Sequence, residues 1–283
     1  MYFDLRLSAY RETGFLKAPY LQNLAQDGIT VSWETTIPGN GEVELVNEKG
    51  TVIQTYRSSL KKQTLHEIRL HGLEPETYYG YRVRTRFGGE VLETETVTFR
   101  TAPKGPSDFI FLVYGDSRSN DKVHRALAER MLDDANQFSA DFFLHTGDFV
   151  TFGYDWGLWQ RKFFWPASPL LQQVPMFPAI GNHELDQPIY YEYLAAPGNE
   201  SWYSFVHGHA EFFSINSNVG MGPASEQHKW LEKALQESTA TWKIAFLHHP
   251  PFSCTPSRKP GAPGVRKYIV PLLEKYGADL AFL

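Results

Sequence analysis

Only one of the 283 residues, Cys254, is a cysteine. That excludes an intramolecular disulfide and a cysteine-rich zinc site. Its neighbours Ser253 and Thr255 offer nothing to activate a thiol, so Cys254 reads as a loop or packed residue. No apolar run approaches the ~20 residues that a membrane-spanning helix needs. The first residues carry Asp4, Arg6, Arg11 and Glu12 and lack the apolar stretch of a signal peptide. Either the protein stays inside the cell or a leader lies before this numbering. Positive charge is also short: 27 Lys and Arg against 32 Asp and Glu give a net charge of −5. A non-specific binder of nucleic-acid polymer would need a basic face, so none is expected as a partner. Internal repeats and low-complexity segments are absent.

Hydrophobic residues make up 42%, charged residues 21% and aromatics 15% of the chain. The length suits two domains, and the aromatic surplus suits broad β-rich faces. Periodicity changes part-way along. From Phe15 to Pro103 short alternating stretches such as Gly28–Glu34, Gly41–Val46, Tyr79–Thr85 and Thr94–Phe99 are separated by turn signals. About seven short strands without helical period predict an all-β sandwich. Ala102-Pro103-Lys104-Gly105-Pro106-Ser107 marks a boundary. Beyond it, buried-type strands at 109–114, 141–145, 174–180 and 241–247 alternate with helical stretches at 121–138, 155–164, 225–236 and 265–276, with Asp121 as a candidate cap. Segments 201–206 and 211–216 read as an antiparallel pair. This predicts a layered α/β domain. The expected division is a lead-in at 1–14, the sandwich at 15–103 and the α/β domain at 104–283.

Polar residues follow the strands at once. Gly115-Asp116-Ser117-Arg118, Gly147-Asp148, Gly181-Asn182-His183-Glu184 and His248-His249-Pro250-Pro251 sit at four strand tips. In open α/β sheets, ligands bind beyond the strand C-termini. Carboxylate, amide oxygen and imidazole together suit borderline and hard di- or trivalent metals. One carboxylate shared by two ions allows them to grip a phosphoryl oxygen and generate hydroxide for in-line attack on phosphorus. Taken singly, Asp116 or Asp148 reads more readily as a helix cap than as a metal ligand.

In order and spacing these four motifs resemble the calcineurin-like metallophosphoesterase superfamily. Leu73–Val83 resembles the tyrosine corner of fibronectin type III domains, with Trp33 in the place of the core tryptophan. A sandwich of that kind before the motifs is similar to the purple acid phosphatases. The resemblance implies an αββα catalytic domain that hydrolyses phosphate monoesters with two metal ions (iron, manganese or zinc). It implies Asp116 on the first metal, Asp148 bridging both, and Asn182 and His248 on the second. His183 would be the catalytic imidazole beside the leaving-group oxygen, with Glu184 orienting it. It also suggests an extracytoplasmic setting and a small phosphorylated substrate.

The sequence departs from the pattern in three places. Arg118 stands where many superfamily members have a metal-binding His; it is expected either to fork onto substrate phosphate or to pair with a nearby acid. Thr151 replaces the tyrosine that purple acid phosphatases carry three residues after the bridging Asp, so the charge-transfer colour of a tyrosinate–iron bond is not predicted, and manganese, zinc or ferrous iron compete with ferric iron for the first site. The Gly-His-x-His motif, expected after the strand at 278–283, does not occur within this sequence, which suggests a piece of a longer protein. Two rivals stay open: a phosphodiesterase or nucleotidase, and an inactive scaffold in which the sandwich binds a partner. His207 and His209, flanking Gly208, are expected at the surface of a hairpin turn, and His249 beside its neighbour rather than on metal. Trp156, Trp159 and Trp165 are expected in the core or cleft wall.

Overall fold

The computed structural model describes residues 13–47, 49–58, 62–255 and 261–283. The expected lead-in lies outside them except for Thr13 and Gly14. Seven strands form the N-terminal sandwich: β1 (Phe15–Ala25), β2 (Gly28–Val46), β3 (Val52–Arg57), β4 (Gln63–His71), β5 (Tyr78–Phe87), β6 (Glu90–Glu93) and β7 (Val97–Arg100). The two alternating stretches expected at 28–34 and 41–46 are one strand. The first half of β2 pairs with β1 and β4, the second with β3 and β5, and the register shifts between Glu34 and Gly39. Pro38 cannot donate to a ladder, and at this irregularity the strand passes from one sheet to the other. The tyrosine corner is formed: the Glu74 amide donates to Tyr79 Oη at 3.0 Å.

Trp33 is fully buried in the sandwich core, and its indole N–H donates to Thr85 Oγ1 at 2.9 Å. His66 stacks on it at 4.7 Å between centroids. A Cβ on Gly41 would lie 2.5 Å from both rings, so glycine makes room for the stack. Burial lowers the His66 pKa from its ordinary 6.5 to about 4. Its contribution is therefore fully present above pH 6.5. It is lost as pH falls towards 4, because there only the unfolded chain takes up the proton; the loss amounts to roughly 3 kcal/mol. Denaturant unfolding at pH 7.5 and 4.5 should show this slope in the natural protein and a flatter one in His66→Gln. Equal slopes would remove His66 as the cause.

The second half forms four layers. Strands β8 (Phe111–Tyr114), β9 (Phe142–His145) and β10 (Met176–Pro178) run parallel. A second sheet follows in the order β11 (Tyr203–His207), β12 (Ala210–Ile215), β13 (Trp242–Leu247) and β14 (Leu280–Phe282). β11 and β12 are the expected antiparallel pair. Strand alternation builds the layers: Phe142, Leu144 and Phe177 meet Phe212, Ile244 and Phe246 between the sheets. Phe143 and Met176 face outward to Met131 and Ala135 on α1 (Asp121–Phe138) and to Phe163. Phe213, Ala245 and Leu247 face outward to Leu231 and Leu235 on α2 (Glu226–Glu237) and to Leu272. Asn120 rather than Asp121 caps α1, its side chain accepting from the Val123 amide; Asp121 is the first helical residue. An Asx side chain two or three residues before an amide can reach it, and Asn120 has that spacing.

The two halves share a sheet. β1 pairs in parallel with β10 at Gln22 and Met176, giving the path β6-β5-β2-β1-β10-β9-β8. Gln22 is fully buried at this seam. Its side chain donates to Tyr193 O at 3.2 Å and accepts from the Ala195 amide at 3.0 Å. Nearby, the Lys17 ammonium pairs with Glu34 and lies over the rings of Trp156, Phe164 and Tyr193. Among the described residues no helix is long and apolar enough to cross a membrane.

Candidate metal centre

The tips of β8, β9, β10 and β13 lie together. Asp116 and Asp148 both adopt positive φ, 53° and 58°. A carboxamide or carboxylate residue tolerates this region better than most, because its short side chain bonds locally. Gly181 lets the tips touch: a Cβ there would sit 2.3 Å from the Asp148 amide nitrogen and 2.5 Å from its Oδ1.

Asp148 is fully buried and is the hub. Its Oδ1 accepts from the His183 amide at 3.1 Å and lies 3.3 Å from His248 Nε2. Its Oδ2 accepts from Arg118 Nε at 2.9 Å. Arg118 thus makes the ion pair that was one of its two expected roles. One ligand atom each from Asp116, Asp148 and His248 falls within 4.8 Å of the others.

His248 gives a test of fit. Its Nδ1 faces Thr146 O at 3.0 Å. A carbonyl only accepts, so Nδ1 carries a proton, and in the neutral ring that tautomer leaves Nε2 with its lone pair. That lone pair meets Asn182 Oδ1 at 3.1 Å, as well as Asp148 Oδ1. Two oxygens thus approach that one nitrogen, an arrangement that a cation satisfies. The donor set fits a metal there. Asp116, exposed, completes the cluster, and the Arg118 guanidinium lies at Asp148 Oδ2.

His183 Nδ1 donates to Thr151 O at 2.7 Å, which leaves Nε2 to face the cleft, 3.9 Å from Asp148 Oδ2. Glu184 does not orient this ring. Its carboxylate accepts from the amides of Asp148 (2.9 Å), Phe149 (2.9 Å), Val150 (3.3 Å) and Gly181 (2.8 Å). Adjacent residues of a tight turn point different ways, so Glu184 turns inward and binds two strand tips together. Burial, then the charge of Asp148, pushes its carboxyl up to about 7 against the pull of those amides. His249 bonds Ser217 Oγ through Nδ1 at 2.8 Å.

His207 is a correction to the expected hairpin surface. It is buried, with Nε2 3.2 Å from Asp141 Oδ2. His207 is the last residue of β11, and its side chain turns into the space between the sheets beside Phe142. Trp159 lies in the core, whereas Trp165 is half-exposed beneath Arg125. The buried ring of His145, which the motifs did not single out, lies below the site. Its Nε2 is 3.1 Å from Ser117 Oγ and its Nδ1 accepts from the Gly147 amide at 3.2 Å. Burial holds its pKa well below 6.5, so it stays neutral.

The family model described as calcineurin-like phosphoesterase matches residues 107–283. The chain belongs to this family. An uncharacterized protein of Mycobacterium tuberculosis strain H37Rv is 27% identical over 315 residues, covering 90% of this chain and 58% of that protein. Purple acid phosphatase 15 of Arabidopsis thaliana is 24% identical over 258 residues, covering 77% of this chain and 47% of that protein. The chain therefore spans about half the length of the curated relatives it matches. The structure of purple acid phosphatase PPD1 from yellow lupin superposes with a TM-score of 0.77 at 18% identity, over 93% of this chain and 57% of that one. That likeness carries the fold of this calcineurin-like phosphoesterase: an all-β sandwich followed by a mixed α/β domain.

Proposed function

We propose that the protein is a dinuclear-metal phosphoesterase that hydrolyses phosphate monoesters, with residues 15–103 as its sandwich and 104–283 as its catalytic domain. The observation that carries this reading is the approach of two oxygens, Asn182 Oδ1 and Asp148 Oδ1, to His248 Nε2. Asp148, Asn182 and His248 would hold one metal, and Asp116 together with Asp148 a second. Bound there, iron, manganese or zinc ions supply Lewis acidity and lower the pKa of water.

The remaining work falls to the side chains. Arg118 pairs with Asp148 Oδ2 through Nε and would fork onto a phosphate oxygen through its remaining nitrogens, balancing its charge. His183 is fixed by Thr151 O, so its Nε2 is the atom that meets the leaving-group oxygen. Glu184 keeps the two tips in register. The family resemblance supports a small phosphorylated substrate and an extracytoplasmic setting.

Hydrolysis of phenyl phosphate and of a bis-aryl phosphate by the natural protein tests this. We expect turnover of the monoester that a chelator stops and added manganese, zinc or iron restores. Greater turnover of the diester would favour a phosphodiesterase. Silence on both with metal present would sink the hydrolase reading and leave a scaffold.

A further inference from the structure

We propose that Phe152 and Tyr154 form a stacking platform for a planar aromatic leaving group, an aryl or nucleobase ring carried by the phosphate ester. The proposal rests on the phosphoesterase reading of the same site. Phe152 is 47% exposed and Tyr154 61%, and their rings lie nearly parallel, 19° apart with centroids 5.6 Å apart. The backbone beneath them is fixed. Thr151 O accepts from His183 Nδ1 at 2.7 Å and the Gly153 amide donates to His183 O at 2.9 Å. A Cβ on Gly153 would fall 2.0 Å from Glu184 O, so the loop runs flush against the turn that bears His183. On the other side the Trp159 indole N–H donates to Gly153 O at 2.9 Å.

This clamping leaves the side chains on either side of Gly153 pointing away from the packed backbone, into solvent. Single exposed aromatics are ordinary on protein surfaces. A pair on a rigid backbone is different, because its faces are preorganised at no further entropic cost. Three other exposed rings, Tyr78, Trp165 and Phe252, each lie beneath an arginine at 5.7, 5.8 and 5.7 Å. Phe152 and Tyr154 face each other instead.

Location supplies the rest. With Nδ1 committed to Thr151 O, His183 can meet a leaving-group oxygen only through Nε2. Thr151 O meets the opposite nitrogen of the same ring, so the loop that starts at Thr151 lies one imidazole ring away from the departing group. A flat ring attached to the oxygen would leave past the two aromatic side chains, and stacking tolerates any ring with a π face.

Binding of hydrolysis-resistant phosphonates separates this from the hydrolytic reading. In the metal-loaded natural protein, phenylphosphonate should bind about tenfold more tightly than methylphosphonate by calorimetry, as expected for one stacked ring. Phe152→Ala/Tyr154→Ala should bring the ratio to near one, and Phe152→Tyr/Tyr154→Phe should restore it. The phosphonate analogues of adenosine monophosphate and ribose 5-phosphate give the second arm: a larger ratio there assigns the platform to nucleobases, a smaller one to aryl groups. A ratio near one in the natural protein for both pairs, or a ratio unchanged in the alanine variant, would overturn the proposal. A preserved ratio without hydrolysis of any ester would leave the platform standing and overturn the hydrolase instead.

Discussion

Changing Asp148 to Asn should strip the protein of metal and cut kcat by about three orders of magnitude. Asparagine is the informative replacement because it tolerates the positive φ of 58° at this position, so the backbone need not move. What changes is chemistry. Both carboxylate oxygens are in use: Oδ1 towards the His183 amide and His248, Oδ2 towards Arg118. An amide group keeps one oxygen and sets an N–H₂ against a donor on the other side. Metal catalysis contributes several kcal/mol, and about 4 kcal/mol corresponds to that thousandfold loss. Asp116→Asn alters an exposed carboxylate that would serve one position only, and its loss should be smaller, on the order of 10- to 100-fold in metal affinity. Metal content by plasma mass spectrometry, beside kcat for phenyl phosphate, distinguishes them. Equal metal retention in the two variants would argue against a shared carboxylate.

Glu184→Ala should cost the most stability of any single change near the site. The carboxylate serves four amides, on Asp148, Phe149, Val150 and Gly181, and is fully buried. Each buried donor left without a partner costs about 1–3 kcal/mol. Water entering the cavity recovers part of that, so we expect a net loss of about 4 kcal/mol and a melting temperature lower by roughly 10 °C. Glu184→Gln should fall between, because its N–H₂ opposes amide donors that its oxygen cannot all serve. Metal content should fall in both, since Asp148 and Asn182 sit on the two tips that Glu184 joins. Thermal unfolding of the apo forms reads the effect without the metal. A melting point within 2 °C of the natural protein would show that the tips hold their positions without this residue.

Much of this arrangement is written in short-range signals. Glycine before Asp116, Asp148 and Asn182 announces sharp strand tips, and the serine before α2 announces its start, where Ser225 Oγ accepts from the His228 amide. Alternation announces the β11–β12 pair. What escapes a linear reading depends on partners far along the chain. Glu184 serves amides up to 36 residues away, and nothing in Gly-Asn-His-Glu says whether its carboxylate turns to His183 or inward. His207 looks like a turn histidine until Asp141, 66 residues earlier, is brought beside it. The passage of β2 between sheets is similarly hidden, because both of its halves alternate correctly and the turn-forming Asn40-Gly41 suggests a break. Gln22 bonds residues 171 and 173 positions away, a spacing that local pattern cannot encode.

The seam at Gln22 makes the sandwich an edge cap for the catalytic sheet. Without β1, strand β10 would present its open ladder to solvent, and Tyr20 and Leu65 would no longer cover the apolar layer that they help to close. Bare edges of that kind recruit other chains. The sandwich is therefore not a passenger that evolution could shed without cost. A lineage that lost it would need another strand, a charged edge residue or a partner subunit in the same place. Gene fusions that insert a domain should find the surface turn at Gly88-Gly89 easier to open than the stretch joining the halves.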